Sequence, residues 1–272
     1  MFTGFMTNTW VAGTLVAIVA GVVGFFVVIR RAAFAAHVLP LGAFPGAAAA
    51  SLLGVNELVG LVTFSVLGAL GISHLARRER RDVATALWLA VSLALGTLFL
   101  SMTRQYPQQV YSLLFGEILG VSEGAMISVA ALSITAVVTI GILFRPLLLD
   151  SISPELCQAA GGSSRRMELA FLGVVALSTA IVLPVVGALM VFSLMVGPAS
   201  CARALTDEPR SAVLLSVGLA LATVWSAIAL SYLSNWPVGF FVGALGALSY
   251  AGGRIYRRFA PAPSSPRAAA AI

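Results

Sequence analysis

The chain has no lysine: all 16 of its basic residues are arginine. A P-loop needs a lysine on the nucleotide phosphates, so that motif cannot hold ATP here, and Schiff-base chemistry is excluded as well. Charge of either sign is scarce. Only 10% of the 272 residues are charged, against about 25% in an ordinary soluble domain, which is too little polar surface to coat a water-soluble globule. Cysteine is nearly absent, and Cys157 and Cys201 alone supply neither a CxxC metal cluster nor a disulfide framework. Met1–Trp10 carries no basic side chain, so the first apolar run is read as a retained span rather than a cleaved signal peptide.

What fills the sequence instead is apolar: 60% of residues are hydrophobic and the mean hydropathy is +1.02. Lipid is the solvent that suits such a chain. The pI of about 10.1 reflects arginines at the borders of apolar runs, so nucleic acid is not an expected partner.

A membrane-spanning helix needs about 20 apolar residues. Val11–Ile29 is the first such run, closed by Arg30-Arg31. Ala32–Asn56, interrupted only by His37, is the second, and Leu58–Ala76 the third, ahead of Arg77-Arg78-Glu79-Arg80-Arg81-Asp82. Val83–Thr103 and Gly124–Phe144 are the fourth and fifth, separated by a mixed segment, Tyr106–Val121, read as external. After a polar stretch, Arg145–Glu168, the chain is uncharged for 34 residues, Leu169–Ala202. One helix of that length would measure roughly 50 Å against a core of about 30 Å. Pro184-Val185-Val186-Gly187 is the natural break, giving short spans over 169–184 and 186–204. Ser211–Gly253, uncharged for 43 residues, folds back at Ser234-Asn235-Trp236-Pro237 and adds two more. The expected fold is therefore an all-α polytopic membrane protein of nine spans, or eight with one re-entrant piece. Residues 1–258 form the transmembrane domain and 259–272, rich in Pro, Ser and Ala, a disordered cytoplasmic tail.

With the N-terminus outside and the C-terminus inside, 15 of the 16 arginines fall on the inner side and only Arg104 outside, as the positive-inside rule requires. Three acids, Glu57, Glu117 and Glu123, then mark the outer side, placed to attract cations or dock an external partner at the outer mouth, or merely to solvate loops.

His37 is the one ionisable side chain inside an expected span, and polar groups there are functional candidates by default. It either ligates a divalent metal or relays a proton, or it is a neutral histidine bonded to a backbone carbonyl. Gly42-x-x-x-Gly46 offers a small-residue face for close packing. Pro40 and Pro45 mark this span as a candidate broken helix lining a conduit. On the inner side, Asp150–Gly161 reads as a short capped helix: Ser153 as N-cap, Pro154 at N1, Glu155 in the first turn, and Gly161-Gly162 as the stop. Such a lone helix suits docking, or is an ordinary loop helix. Ser193 lies within a span, but no partner group for an intramembrane enzyme is evident.

Several runs occur in a telling order: Val28-Ile29-Arg30-Arg31-Ala32-Ala33-Phe34; Leu114-Phe115-Gly116-Glu117 through Val121; Ser153–Gly161; Val186-Gly187-Ala188-Leu189-Met190 followed by Gly197-Pro198-Ala199-Ser200-Cys201-Ala202-Arg203; and Trp236-Pro237-Val238-Gly239. Over residues 10–255 they resemble the permease subunits of the zinc/manganese (divalent metal) ABC importer family. The resemblance implies a type II ABC importer-like permease in a bacterial plasma membrane. In such an importer two copies form the path as a homodimer. An extracellular substrate-binding protein delivers zinc or manganese, and cytoplasmic ATP-binding cassette subunits use the ATP. This chain then needs no cofactor of its own and is a transport subunit rather than an enzyme. The resemblance assigns ATPase coupling to the segment of Ser153, Pro154, Glu155, Ala159 and Gly161. In the family the second span carries an Asp and, four residues on, a His; these positions hold His37 and Leu41 here. The substrate path is expected at His37 and Leu41 with His37 as the metal ligand. The lost carboxylate also leaves open a non-metal substrate. A secondary transporter working alone is the remaining rival, although it would usually need more intramembrane charges than one histidine.

Overall fold

A computed structural model describes residues 4–75, 81–102, 123–159 and 161–259, and all their regular structure is helical. In chain order these helices are α1 (Gly4–Ile29), α2 (Ala33–Leu53), α3 (Glu57–Leu75), α4 (Arg81–Ser101), α5 (Glu123–Ile152), α6 (Pro154–Ala159), α7 (Ser164–Val186), α8 (Ala188–Leu205), α9 (Pro209–Ser234) and α10 (Val238–Phe259). In lipid the backbone must satisfy itself, and long Ala/Leu/Val runs do so as helices. Local signals set their ends. Gly54 at φ 68° stops α2; the Asn56 side chain then accepts the Leu58 N–H at 2.8 Å and starts α3. Pro209 opens α9 and Asn235 at φ 57° closes it.

Eight of these helices are long and apolar enough to cross a membrane. The ninth, α8, has 18 residues, about 27 Å at about 1.5 Å per residue, close to a core of about 30 Å. The 34-residue apolar run does divide, but at Gly187 rather than at Pro184, which stays inside α7. Gly187 takes φ 89°, ψ 148°, a conformation a side chain would resist, so one residue reverses the chain.

Side-chain neighbours fix the relative direction of five helix pairs. The helices α2 and α3 are antiparallel: Gly46 meets Gly60 while Leu39 meets Gly68. The pair α2 and α4 is parallel, with Trp88 beside Gly42 and Gly96 beside Phe44. In α8 and α10, also parallel, Met190 meets Gly243 and Cys201 meets Gly253. Between α1 and α9, antiparallel, the Trp10 and Trp225 rings lie 6.4 Å apart and Ser216 Oγ donates to the Gly21 carbonyl at 2.8 Å. Phe26 against Phe144 and Arg30 against Asp150 set α1 parallel to α5. All eleven arginines among the described residues, Arg30 to Arg258, consequently collect at one end of the bundle.

Two further expectations change. The span containing Pro40 and Pro45 is not broken: α2 runs continuously with both prolines buried. Each proline forfeits one intrahelical bond, but α2 lies too tightly against its neighbours to open. A Cβ added at Gly46 would run into the Gly60 carbonyl, and one at Gly42 would press on the Trp88 indole, so Gly42 and Gly46 are packing residues. The fifth span also continues past Phe144 through Arg145 and Pro146 to Ile152. Arg145 ends the apolar run without ending the helix, because Leu147 is fully buried and Asp150 finds an ion-pair partner. The tail beyond Phe259, Arg104 and the segment 106–121 lie outside the described residues.

Candidate functional site

Three places carry the residues singled out above. The first is the short helix α6 at the arginine-rich end. Ser153 Oγ accepts the Leu156 N–H at 3.3 Å, the expected N-cap. Past the helix, Gly161 takes φ 80°, and the Gly162 N–H returns to the Cys157 carbonyl at 2.8 Å. Only Cys157 is buried. Pro154, Glu155, Leu156, Gln158 and Ala159 are exposed, as is Gly161. Leu156, at 57% exposure, is a large apolar side chain left uncovered on this helix. The expected segment is thus one short helix with its stop, its described residues exposed except at the half-buried Ser153 and the buried Cys157.

The second place is His37, in the second turn of α2 and so nearer the arginine-rich end than the middle of the span. Its ring meets Phe192 of α8 edge-on at 5.2 Å and 76°. Its Nδ1 is buried without a hydrogen-bond partner, so the backbone-carbonyl partner of the alternative reading is not found at that nitrogen. Leu41, one turn on, is half-buried and packs against the apolar cluster of Ala43, Phe44, Leu61, Leu100 and Leu183. Among the described residues no group of three or more His, Cys, Asp or Glu comes together, so His37 is not part of a cluster of three such donors. Phe192 was not legible as its neighbour, since nothing in the sequence pairs position 37 with position 192.

The third place is the opposite end, where Glu57 opens α3 and is exposed. Glu117, its expected companion, lies outside the described residues. Ser193 is engaged structurally: its Oγ donates to the Gly243 carbonyl at 3.0 Å, tying α8 to α10.

One arrangement escaped the sequence reading altogether. Arg30, the first residue of the Arg-Arg turn, folds inward. Its Nη2 donates to Asp150 Oδ2 at 2.8 Å, and its Nη1 reaches Ser151 Oγ at 3.3 Å and the Leu147 carbonyl at 3.4 Å. Its guanidinium carbon stands 5.0 Å from the centre of the Phe171 ring. The side chains of Arg30 and Asp150 are only 9% and 4% exposed. The pair is separated by 120 residues, and no local pattern signals it.

Comparison with known proteins agrees with this architecture. The model of the ABC 3 transport family matches residues 3–253. The chain is 25% identical, over 87% of its length and 85% of the relative's, to the manganese transport system membrane protein MntC of Listeria innocua. It is 26% identical, over 84% of its length and 88% of the relative's, to the high-affinity zinc uptake system membrane protein ZnuB of Haemophilus influenzae. A solved structure of PsaBC from Streptococcus pneumoniae in complex with Fab superposes with a TM-score of 0.85 at 22% identity, covering 94% of each chain, so the fold is shared. Matched almost from end to end, the chain belongs to the ABC 3 transport family, as one of its membrane-embedded permease subunits.

Proposed function

We propose that this permease forms, with a second copy, the path by which a divalent transition metal of the manganese or zinc class enters a bacterial cell. Separate ATPase subunits on the arginine-rich, cytoplasmic side supply the energy, and a binding protein on the outer side supplies the ion. The positive-inside rule supports that orientation, which puts the N-terminus outside and the C-terminus in the cytoplasm. The missing lysine supports a separate ATPase, and no cofactor resides on this chain. The exposed face of α6 is where the ATPase docks, through Ser153, Pro154, Glu155, Ala159 and Gly161. Glu57, with Glu117, draws cations to the outer mouth.

The observation that carries the metal reading is the buried, unpartnered Nδ1 of His37, on a helix of a chain whose relatives are named for manganese and zinc. An imidazole nitrogen without a partner at that depth is costly unless something passes by to use it. One imidazole offers a brief, weak hold, which suits an ion in transit better than a resident one. The test is uptake of radioactive manganese and zinc by the whole assembly in proteoliposomes. His37→Ala should reduce uptake about tenfold while leaving the assembly intact. Unchanged uptake of both ions would remove His37 from the path. A non-metal substrate is the second reading, favoured by Leu41 where the family carries a histidine; wild-type assembly that moves neither ion would support it.

A further inference from the structure

We propose that Arg30 is a positioning residue for transport: it fixes the stem of α6 to the turn that leads into the His37-bearing helix, so that a push on α6 reaches the path. This rests on the reading of α6 as the ATPase dock.

Three observations carry it. First, α6 has little hold of its own on the bundle. Cys157 is its one buried residue, it packs mainly on α5 with a slight contact to α7, and a single residue, Ser153, joins it to α5. The Ser153 N–H bonds back to the Leu149 carbonyl at 2.9 Å, so α6 and the last turn of α5 move as one piece. Second, the last two turns of α5 are where Arg30 makes its polar contacts: Leu147, Asp150 and Ser151. Phe171, beneath the guanidinium, belongs to α7, the helix that follows α6. Arg30 therefore grips both helices flanking the dock in the chain. Third, Arg30 stands in the short turn between α1 and α2. The turn is rigid: the Arg30 N–H bonds to the Phe26 carbonyl at 2.9 Å and the Ala32 N–H to the Val27 carbonyl at 2.9 Å, and Arg31 is held at φ 53°. His37 follows seven residues later.

Stability alone does not account for the pair. A buried ion pair returns its desolvation cost only when the remaining polar atoms are also satisfied, and here Arg30 Nε and Asp150 Oδ1 are both buried without partners. What the geometry does provide is direction. A planar guanidinium holding a carboxylate at its edge and a ring on its face fixes orientation in a way a point charge does not.

The test uses the permease with its ATPase and binding protein in proteoliposomes, with manganese(II) as the probe, and reads ions taken up per ATP hydrolysed. The doubly neutral variant Arg30→Gln/Asp150→Asn leaves no unpaired charge. It should keep wild-type membrane abundance, bound ATPase and hydrolysis within about twofold, while uptake per ATP falls about tenfold. An unchanged ratio overturns the proposal. So does a parallel fall of uptake and hydrolysis with abundance, which would make the pair a folding element only. Glu155→Arg tests the underlying reading separately: it should release the ATPase. If that variant keeps the ATPase bound and coupled, α6 is not the dock, whatever the Arg30 variants do.

Discussion

Two polar groups near the arginine-rich end, the Arg30 guanidinium and the His37 Nδ1, are buried in opposite ways. From the turn after α1, the Arg30 side chain reaches two helices at once: a carboxylate, a hydroxyl and a carbonyl from α5, and a ring from α7. His37, seven residues on, meets one ring and leaves Nδ1 empty-handed. The two sites answer the same desolvation problem differently. A group that is to hold still is surrounded by fixed partners, whereas a group that is to meet a passing ligand must keep a valence open. Removing each side chain should therefore have opposite consequences for the resting protein.

The largest effect is expected at Arg30. Arg30→Met strands the Asp150 carboxylate, 4% exposed, without its counter-charge, and removal of one partner of a buried pair costs on the order of 3–5 kcal/mol. Resistance of the purified permease to unfolding in mixed detergent should fall accordingly, and the doubly neutral Arg30→Gln/Asp150→Asn chain should lie within about 1 kcal/mol of wild type. A single variant that loses under about 1 kcal/mol would mean that water reaches the pair, and the contrast with His37 would disappear.

At His37 the sign should reverse. His37→Leu removes a buried nitrogen that has no partner and keeps a side chain of similar bulk against Phe192. Stability should hold or rise by up to about 1 kcal/mol, while metal uptake falls as it does for His37→Ala. A loss of more than about 2 kcal/mol would make His37 a satisfied structural residue, its partner being a bound water. That outcome would move it to the same side of the comparison as Arg30.

How much of this was legible in the sequence depends on the range of the interaction. The spans were readable because charge-free runs and arginine borders are local, and the α6 helix because Ser153-Pro154-Glu155 and Gly161-Gly162 are local caps. The break at Gly187 was placed within three residues, since Pro184 is a strong but not sufficient breaker: Val185 and Val186 continue the helix behind it. Continuity of α2 through Pro40 and Pro45 was not readable, because it depends on how closely Gly60 and Trp88 approach from other helices. The same holds for the Arg30–Asp150 pair and for Phe192 beside His37. Each joins positions more than a hundred residues apart, for which a single sequence offers no periodicity. His37 was found because an ionisable group amid apolar residues is conspicuous, whereas Arg30 was hidden among border arginines that face water.

The finest probe of the comparison is Leu41→His. Position 41 stands one helical turn from His37, the spacing at which two side chains share a face, and Leu41 is half-buried rather than fully enclosed. A histidine there trades part of an apolar contact for a polar group at the edge of the α2–α3–α4 cluster, at a cost of about 1 kcal/mol. It also supplies a second imidazole on the same helix face as His37. If the open valence of His37 faces the path, two imidazoles should hold zinc about tenfold more tightly than one, a difference of about 1.4 kcal/mol, measurable by zinc competition against manganese uptake. Tighter binding should also slow release, so zinc should become a stronger inhibitor than a substrate. Zinc inhibition identical to that of the wild-type chain would show that positions 37 and 41 do not share a passage. His37 would then be a half-buried histidine whose buried, empty nitrogen serves no ion.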